Sequence, residues 1–329
     1  MDSFLFALNA TVPIFLIIVL GWYLGRVGIL NQTFADVADK FVFKVASPCL
    51  LFYDISTSNL YENFDLGFVF FCAVGSILMF LFTWLVAVVF LKDRSIVSAF
   101  AQGAARGSAA ILGIAFMQNL YGYAGQLPLM IAAAVPLFNI MAVIILTFSA
   151  PPEGAETAPH DGVAAAAVSA RRSLMKDSLY NIATNPIILG IVAGLIAAVL
   201  RLSFPTMIMK TVSSVGSLTS PLALLCIGVE FDGRKAIHRI GPTLWATLIK
   251  LVILPAVFLP IAIRLGYTQD KLISILIMTG SATTVSCFVM AKNMRADHVL
   301  TSSIIVASTF FSSITMTLWI FWLRVMGLV

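Results

Sequence analysis

Residues 102–110 read Gln102-Gly103-Ala104-Ala105-Arg106-Gly107-Ser108-Ala109-Ala110, and residues 280–286 read Gly280-Ser281-Ala282-Thr283-Thr284-Val285-Ser286. Both stretches lie in the middle of long apolar runs. Both contain Gly-Ser-Ala, and the two triplets are 173 positions apart. The same offset relates Pro13-Ile14 to Pro186-Ile187, Gly21 to Gly194, and Ser47-Pro48 to Ser220-Pro221. Matches of leucine or alanine are expected by chance in an apolar chain. Gapless matches of proline and of a small-residue triplet are not. The chain therefore carries an internal duplication, which is a sequence signature of secondary transporters.

The composition says which solvent these halves face. The 329 residues are 60% hydrophobic and 11% charged, with a mean hydropathy of +1.02. Soluble domains carry about 25% charged residues, and a soluble core has no room for this much apolar surface. Long continuous apolar runs, rather than short alternating ones, point to helices instead of an outer-membrane barrel. The expected fold is an all-α polytopic membrane protein with the lipid bilayer as its surroundings.

Apolar runs of about 20 residues fall near 4–25, 34–57, 66–91, 95–120, 126–149, 181–202, 205–229, 242–265, 270–293 and 298–324. The first has Asp2 and no basic residue ahead of it, so it reads as a span rather than a cleaved leader. Ten spans place five in each half. An odd number makes the second half enter from the opposite side, so the repeats are expected to be inverted. The first repeat is 1–149, the second 181–329, and 150–180 is a polar linker.

Ten spans put both termini on one side, and loop charge selects it. With the termini outside, the inner loops hold Arg26, Lys40, Lys44, Lys92, Arg94, Arg171, Arg172, Lys176, Arg234, Lys235, Arg239, Lys292 and Arg295. The outer segments hold only Arg201, Lys210, Arg264, Lys271 and Arg324. The positive-inside rule then predicts a cytoplasmic linker and outward termini. This distribution also explains the net charge of +5 without a nucleic-acid partner.

Two basic residues remain, and both are deep. Arg106 lies 12 residues beyond Arg94, ~18 Å along a helix. At the bilayer centre an arginine costs on the order of 2.5–3.5 kcal/mol, so it should face a bundle interior or a wet cavity. It binds an anionic substrate as a bidentate fork, or it is a structural arginine held by backbone carbonyls at a helix break. The small and hydroxyl residues after Gly280 allow close backbone approach and local unwinding. If spans 4 and 9 cross there, half-helix N-termini point at a midplane anion. Gly107, Ala109, Gly280 and Ala282 are then the crossover residues. Arg106, Ser108, Ser281, Thr283 and Thr284 form the core of the substrate site, with Gln102, Asn139, Ser286 and Lys250 nearby. Lys250 either helps hold the anion or acts as a strut. Asn139 either lines the cavity or bridges helices.

Other chemistries lack their residues. No GxxxxGK[ST] or HExxH motif occurs. Cys49, Cys72, Cys226 and Cys287 lie in apolar runs without metal spacing, and His160, His238 and His298 fall in expected loops. No enzyme, metal or cofactor is expected. Asp54 and Glu230 sit near span ends, so no carboxylate is expected mid-span.

These residues resemble the auxin efflux carrier family, which includes plant PIN-formed carriers and bacterial malonate-type transporters. The resemblance runs over nearly the whole chain. It is carried by Pro13-Ile14, Gly21-Trp22-Tyr23-Leu24-Gly25, Ser47-Pro48-Cys49-Leu50-Leu51-Phe52, Asn139 and Asn185-Pro186. Further along come Pro221-Leu222-Ala223-Leu224 with Gly228, Lys250-Leu251 with Pro255, and Val289-Met290-Ala291-Lys292. The resemblance implies a fold like that of bile-acid/sodium symporters, with crossing broken helices in spans 4 and 9. It implies a scaffold of spans 1, 2, 6 and 7 that forms a homodimer, elevator transport of small organic anions, and a bacterial inner-membrane location. The prolines that relatives often carry at the crossing are absent. Ser108, Ala115 and Ala282-Thr283-Thr284 stand there instead, leaving Gly107 and Gly280 to permit a break. A membrane sensor that binds its ligand without net flux is the alternative function, and coupling is expected to be independent of sodium.

Overall fold

The computed structural model describes residues 2–57, 65–109, 113, 117, 120–121, 125–149, 184–231 and 237–329. The 150–180 linker and most of the second half of span 4 lie outside them. Among the described residues the chain is helical, with no strand beyond an isolated two-residue bridge.

Several helices start where a short polar side chain caps them. Asn31, Asp65, Asn185 and Asp297 accept hydrogen bonds from the backbone N–H groups of Phe34, Phe68, Ile187 and Leu300. These caps satisfy donors that a helix N-terminus leaves without partners. Helix α1 is Asp2–Arg26. Helix α2, Gln32–Phe41, continues through a π-helical turn, Val42–Ala46, into α3, Ser47–Ser56. Then come α4, Leu66–Phe90, the short α5, Val97–Ala105, and α6, Leu127–Ser149. The second half has α7, Pro186–Val199, α8, Thr206–Ser217, and α9, Thr219–Glu230. Helix α10, Ile240–Leu248, passes through another π-helical turn, Ile249–Ile253, into α11, Leu254–Arg264. The chain ends with α12, Gln269–Gly280, α13, Ser286–Asn293, and α14, His298–Val325. His298, expected in a loop, thus opens a helix.

Among the described residues, five stretches are long and apolar enough to cross a bilayer: Leu66–Phe90, Leu127–Phe148, Thr206–Glu230, Ile240–Arg264 and His298–Val325. Phe15–Arg26 and Pro186–Val199 are shorter apolar helices. Large apolar side chains such as Leu85, Phe90, Trp245 and Phe321 are exposed, which suits lipid and not water. The architecture is that of a multi-pass helical membrane protein.

Helix packing repeats itself with the halves exchanged. Helix α1 packs on α9, and α3 packs on α7. A Cβ added at Gly21 would lie 2.9 Å from Leu225 Cα, and one at Gly194 would lie 3.2 Å from Phe52 Cα. Gly21 and Gly194 are 173 apart in sequence, and so are Phe52 and Leu225. The same glycine-to-backbone contact is therefore made twice. Lacking a hydrophobic drive between helices in lipid, such close packing is what holds them. Helices α4 and α6 form another pair, as do α10 and α14.

Inside these pairs run α5 and α12, every residue of Val97–Ala105 and of Leu272–Gly280 being buried. At the ends, Lys271 reaches Asp65 at 2.5 Å and Arg239 reaches Asp93 at 2.8 Å. The Lys271 ammonium holds the Asp65 carboxyl below the usual carboxylate range. The Ser95 hydroxyl and then Arg239 do the same for Asp93.

Candidate functional site: a crossing of two interrupted helices

Helix α5 stops at Ala105, and Arg106 takes an extended conformation with φ −81° and ψ 127°. Helix α12 stops at Gly280, and Ser281 is extended at φ −72° and ψ 159°. The extended segments pass antiparallel, with Gly107 opposite Thr283. The Ser108 N–H donates to the Ala282 carbonyl at 2.8 Å. The approach is close: a Cβ on Gly107 would displace the Ser281 hydroxyl and lie 3.1 Å from Lys250 Nζ and 3.2 Å from the Met278 carbonyl oxygen. No proline occupies either break.

Ending a helix in a membrane leaves carbonyls that water cannot reach. Side chains from across the crossing take them. Lys250 Nζ, from the second π-helical turn, donates to the Ala105 carbonyl at 3.0 Å and the Met278 carbonyl at 3.2 Å. One ammonium thus serves the C-terminal ends of both interrupted helices, where helix dipoles favour positive charge. Thr283 Oγ1 donates to the Gly103 carbonyl at 2.8 Å, and the Thr283 N–H donates to Ser308 Oγ at 3.0 Å. Gln102 Nε2 donates to the Cys287 carbonyl at 3.2 Å.

Beside the crossing is a cavity of about 220 Å³. Its wall comprises Arg106 to Ala109, Thr284 and Ser286 from the crossing, with Val135, Phe138 and Asn139 from α6. The remainder is Ser47, Leu50, Leu51 and Asp54 from α3, Ile187 from α7 and Ser220 from α9. Asn139 Nδ2 donates to the Val135 carbonyl at 2.9 Å, which turns its Oδ1 to accept from Arg106 Nη2 at 2.8 Å. Arg106 Nη1 meets Met290 Sδ at 2.8 Å, and Nε has no hydrogen-bond partner. Arg106 is 3% exposed, with no carboxylate in ion-pair range among the described residues. A guanidinium has five N–H donors, and the protein engages only part of this set.

The expected site residues therefore divide in two. Arg106, Gly107, Ser108, Ala109, Asn139, Thr284 and Ser286 line the cavity. Gln102, Lys250, Gly280, Ser281, Ala282 and Thr283 are buried behind that wall; most hold the backbone of the crossing, while Ser281 Oγ has no hydrogen-bond partner. Three polar wall residues escaped the sequence reading. Ser47 and Ser220 had a signal, since they are the serines of the repeated Ser-Pro pair. Asp54 did not, because its place near the end of an apolar run suggested a loop end. The cavity reaches the last turn of α3, where Asp54 lies on its wall.

Residues 6–320 match the family described as membrane transport protein. The chain is 21% identical over 320 residues to the protein named Uncharacterized transporter YfdV of Escherichia coli strain K12, covering 96% of this chain and 97% of that one. The YfdV proteins of Escherichia coli O157:H7 and Shigella flexneri match with the same identity and coverage. With a match along nearly its whole length, this chain belongs to the membrane transport protein family, the family of the auxin efflux carriers.

Proposed function

We propose that this transporter carries a small organic anion, a carboxylate or auxin-like weak acid, bound at the crossing against Arg106 and Asn139. The observation that carries the reading is Arg106 itself. It is a buried cation on a cavity wall, unpaired by any described carboxylate, with donor capacity left over. An anion completes its hydrogen bonds and its charge. Ser108, Thr284 and Ser286 supply further hydroxyls, and the N-terminus of α13 adds partial positive charge. Asp54 on the same wall favours an acid with one carboxylate and a hydrogen-bond donor at its other end.

The transport unit in this reading has ten spans in two inverted repeats, 1–149 and 181–329, with outward termini and a cytoplasmic linker. The exchanged contacts Gly21–Leu225 and Gly194–Phe52 support the two-fold relation. Spans 1, 2, 6 and 7 form a fixed scaffold and a homodimer contact, and the crossing moves past them as an elevator. Lys250 occupies carbonyls that a coupling cation would otherwise use, so transport is independent of sodium.

Uptake of labelled monocarboxylates, dicarboxylates and aromatic weak acids into proteoliposomes tests the reading. Saturable uptake of an acid that Arg106→Ala abolishes is expected. Full anion transport by Arg106→Ala would remove Arg106 from the site.

A further inference from the structure

A second polar centre lies apart from the cavity, where α2 and α9 meet α13 and α14. Lys292 of α13 donates to Asp39 Oδ2 at 2.6 Å and to Glu230 Oε1, and it lies 3.0 Å from Asp36 Oδ1. Gln32 Nε2 also donates to Glu230 Oε1, at 2.8 Å. His298 Nε2, at the start of α14, lies 3.9 Å from Glu230 Oε2. Three carboxylates from two helices thus face one ammonium from a third.

Two of those carboxylates are buried. The side chain of Asp39 is 2% exposed and that of Glu230 is 7% exposed. Each keeps one oxygen, Asp39 Oδ1 and Glu230 Oε2, without a hydrogen-bond partner among the described residues. An ionised carboxylate oxygen buried without a donor is costly. Two carboxylates sharing one ammonium also repel each other, and a proton on Asp39 Oδ1 relieves both costs. Other groups surround the pair. The Cys226 thiol donates to the Ala35 carbonyl at 3.8 Å and also faces the Asp39 carboxyl, favouring its ionised form against the cost of burial. Lys40 acts on the outer carboxylate, Asp36. Asn293 Nδ2 donates to the Val289 carbonyl at 2.9 Å and to the Asp39 backbone carbonyl at 3.4 Å.

The geometry points to a proton-binding site at Asp39 that, with Lys292 and Glu230, latches the α2–α9 body to α13 and α14. With Asp39 ionised, Lys292 is held and the latch is closed. A proton arriving on Asp39 Oδ1 neutralises one partner, and Lys292, which keeps its own proton, is held less tightly. The latch joins the proposed scaffold to the proposed moving part, and so it rests on that division. It makes the proton the ion to which movement responds.

The test uses the full chain in lipid nanodiscs without substrate. Infrared difference spectra between acid and neutral pH should show protonated-carboxyl bands. One of them should be missing from the double variant Asp39→Asn with Glu230→Gln and present in Asp54→Asn. At neutral pH the double variant should exchange backbone hydrogens in 286–300 about tenfold faster than the native chain, equivalent to ~1.4 kcal/mol. If the double variant does not fold, Asp39→Asn alone, which keeps the Lys292–Glu230 pair, should remove that band and speed exchange. Variants that retain every carboxyl band of the native chain overturn the proton site, and unchanged exchange overturns the latch. Neither readout needs a transported acid, so failure of the anion reading would show separately, in the uptake assay.

Discussion

Arg106 and Lys250 are the two cations buried at the crossing, and they answer to different partners. Lys250 is 0% exposed and spends its hydrogen bonds on the carbonyls of Ala105 and Met278. Arg106 is 3% exposed, leans on Asn139 and Met290, and opens on a cavity. The difference separates structure from binding. A compact ammonium suits two converging carbonyls, and a planar fork suits a carboxylate. Depth in the membrane does not distinguish the roles; what each charge has left to bond does.

The largest effect should come from Lys250→Met. It leaves two buried carbonyls without a donor, at about 1–3 kcal/mol each, and thermal unfolding in detergent should show a clear loss of stability. A native-like melting temperature would mean that Lys250 is no strut. Arg106→Ala should do the opposite. Acid transport should fall about hundredfold, corresponding to ~3 kcal/mol for a charge-assisted hydrogen bond. Stability should hold or rise, because an uncompensated buried charge has been removed. Arg106→Lys keeps the charge but not the fork, so it should restore only part of the transport. Equal melting losses in Lys250→Met and Arg106→Ala would erase the contrast between the two cations.

A smaller effect concerns sodium. Replacing sodium by choline should leave native uptake unchanged, because the carbonyls at the crossing are already occupied. In Lys250→Ala those carbonyls are open to a small cation, and sodium should stabilise that variant more than choline does. Sodium-stimulated uptake by the native protein would contradict the role given to Lys250.

The smallest effect belongs to the exposed pairs, against which both buried cations can be measured. Asp65 is held below the ordinary value of about 3.9 by Lys271. Its contribution is therefore present at neutral pH and fades as pH falls through its lowered value. Asp65→Asn should cost less than about 1 kcal/mol at neutral pH and nothing in strong acid, as read from melting curves at several pH values. A loss as large as that of Lys250→Met would mean that burial does not set the difference.

Much of this crossing is legible in the chain. The paired Gly-Ser-Ala triplets mark both interruptions, because only small residues let two backbones meet. Arg106 stands out because a charge so far from either membrane face needs a local reason. Asn139 was readable as a deep amide but not as the partner that aims Arg106. Thr283 and Gln102 looked like ligand contacts, since a hydroxyl or amide in an apolar run suits either a ligand or a carbonyl. Asp54 was hidden, because distance along a helix says little about a cavity that cuts in from one side.

By itself the sequence determined the helical membrane class, and it pointed to a duplication and to where the two helices end. Those follow from hydropathy, from a fixed offset and from residue size, which are properties of the chain alone. The tertiary structure decided which polar groups meet. It gave Lys250 to the helix ends, left Arg106 facing the cavity, and brought Ser47, Ser220 and Asp54 to its wall. A hydrogen bond is satisfied or not only once its partner's position is known, and these partners lie more than a hundred residues away in the chain or on other helices.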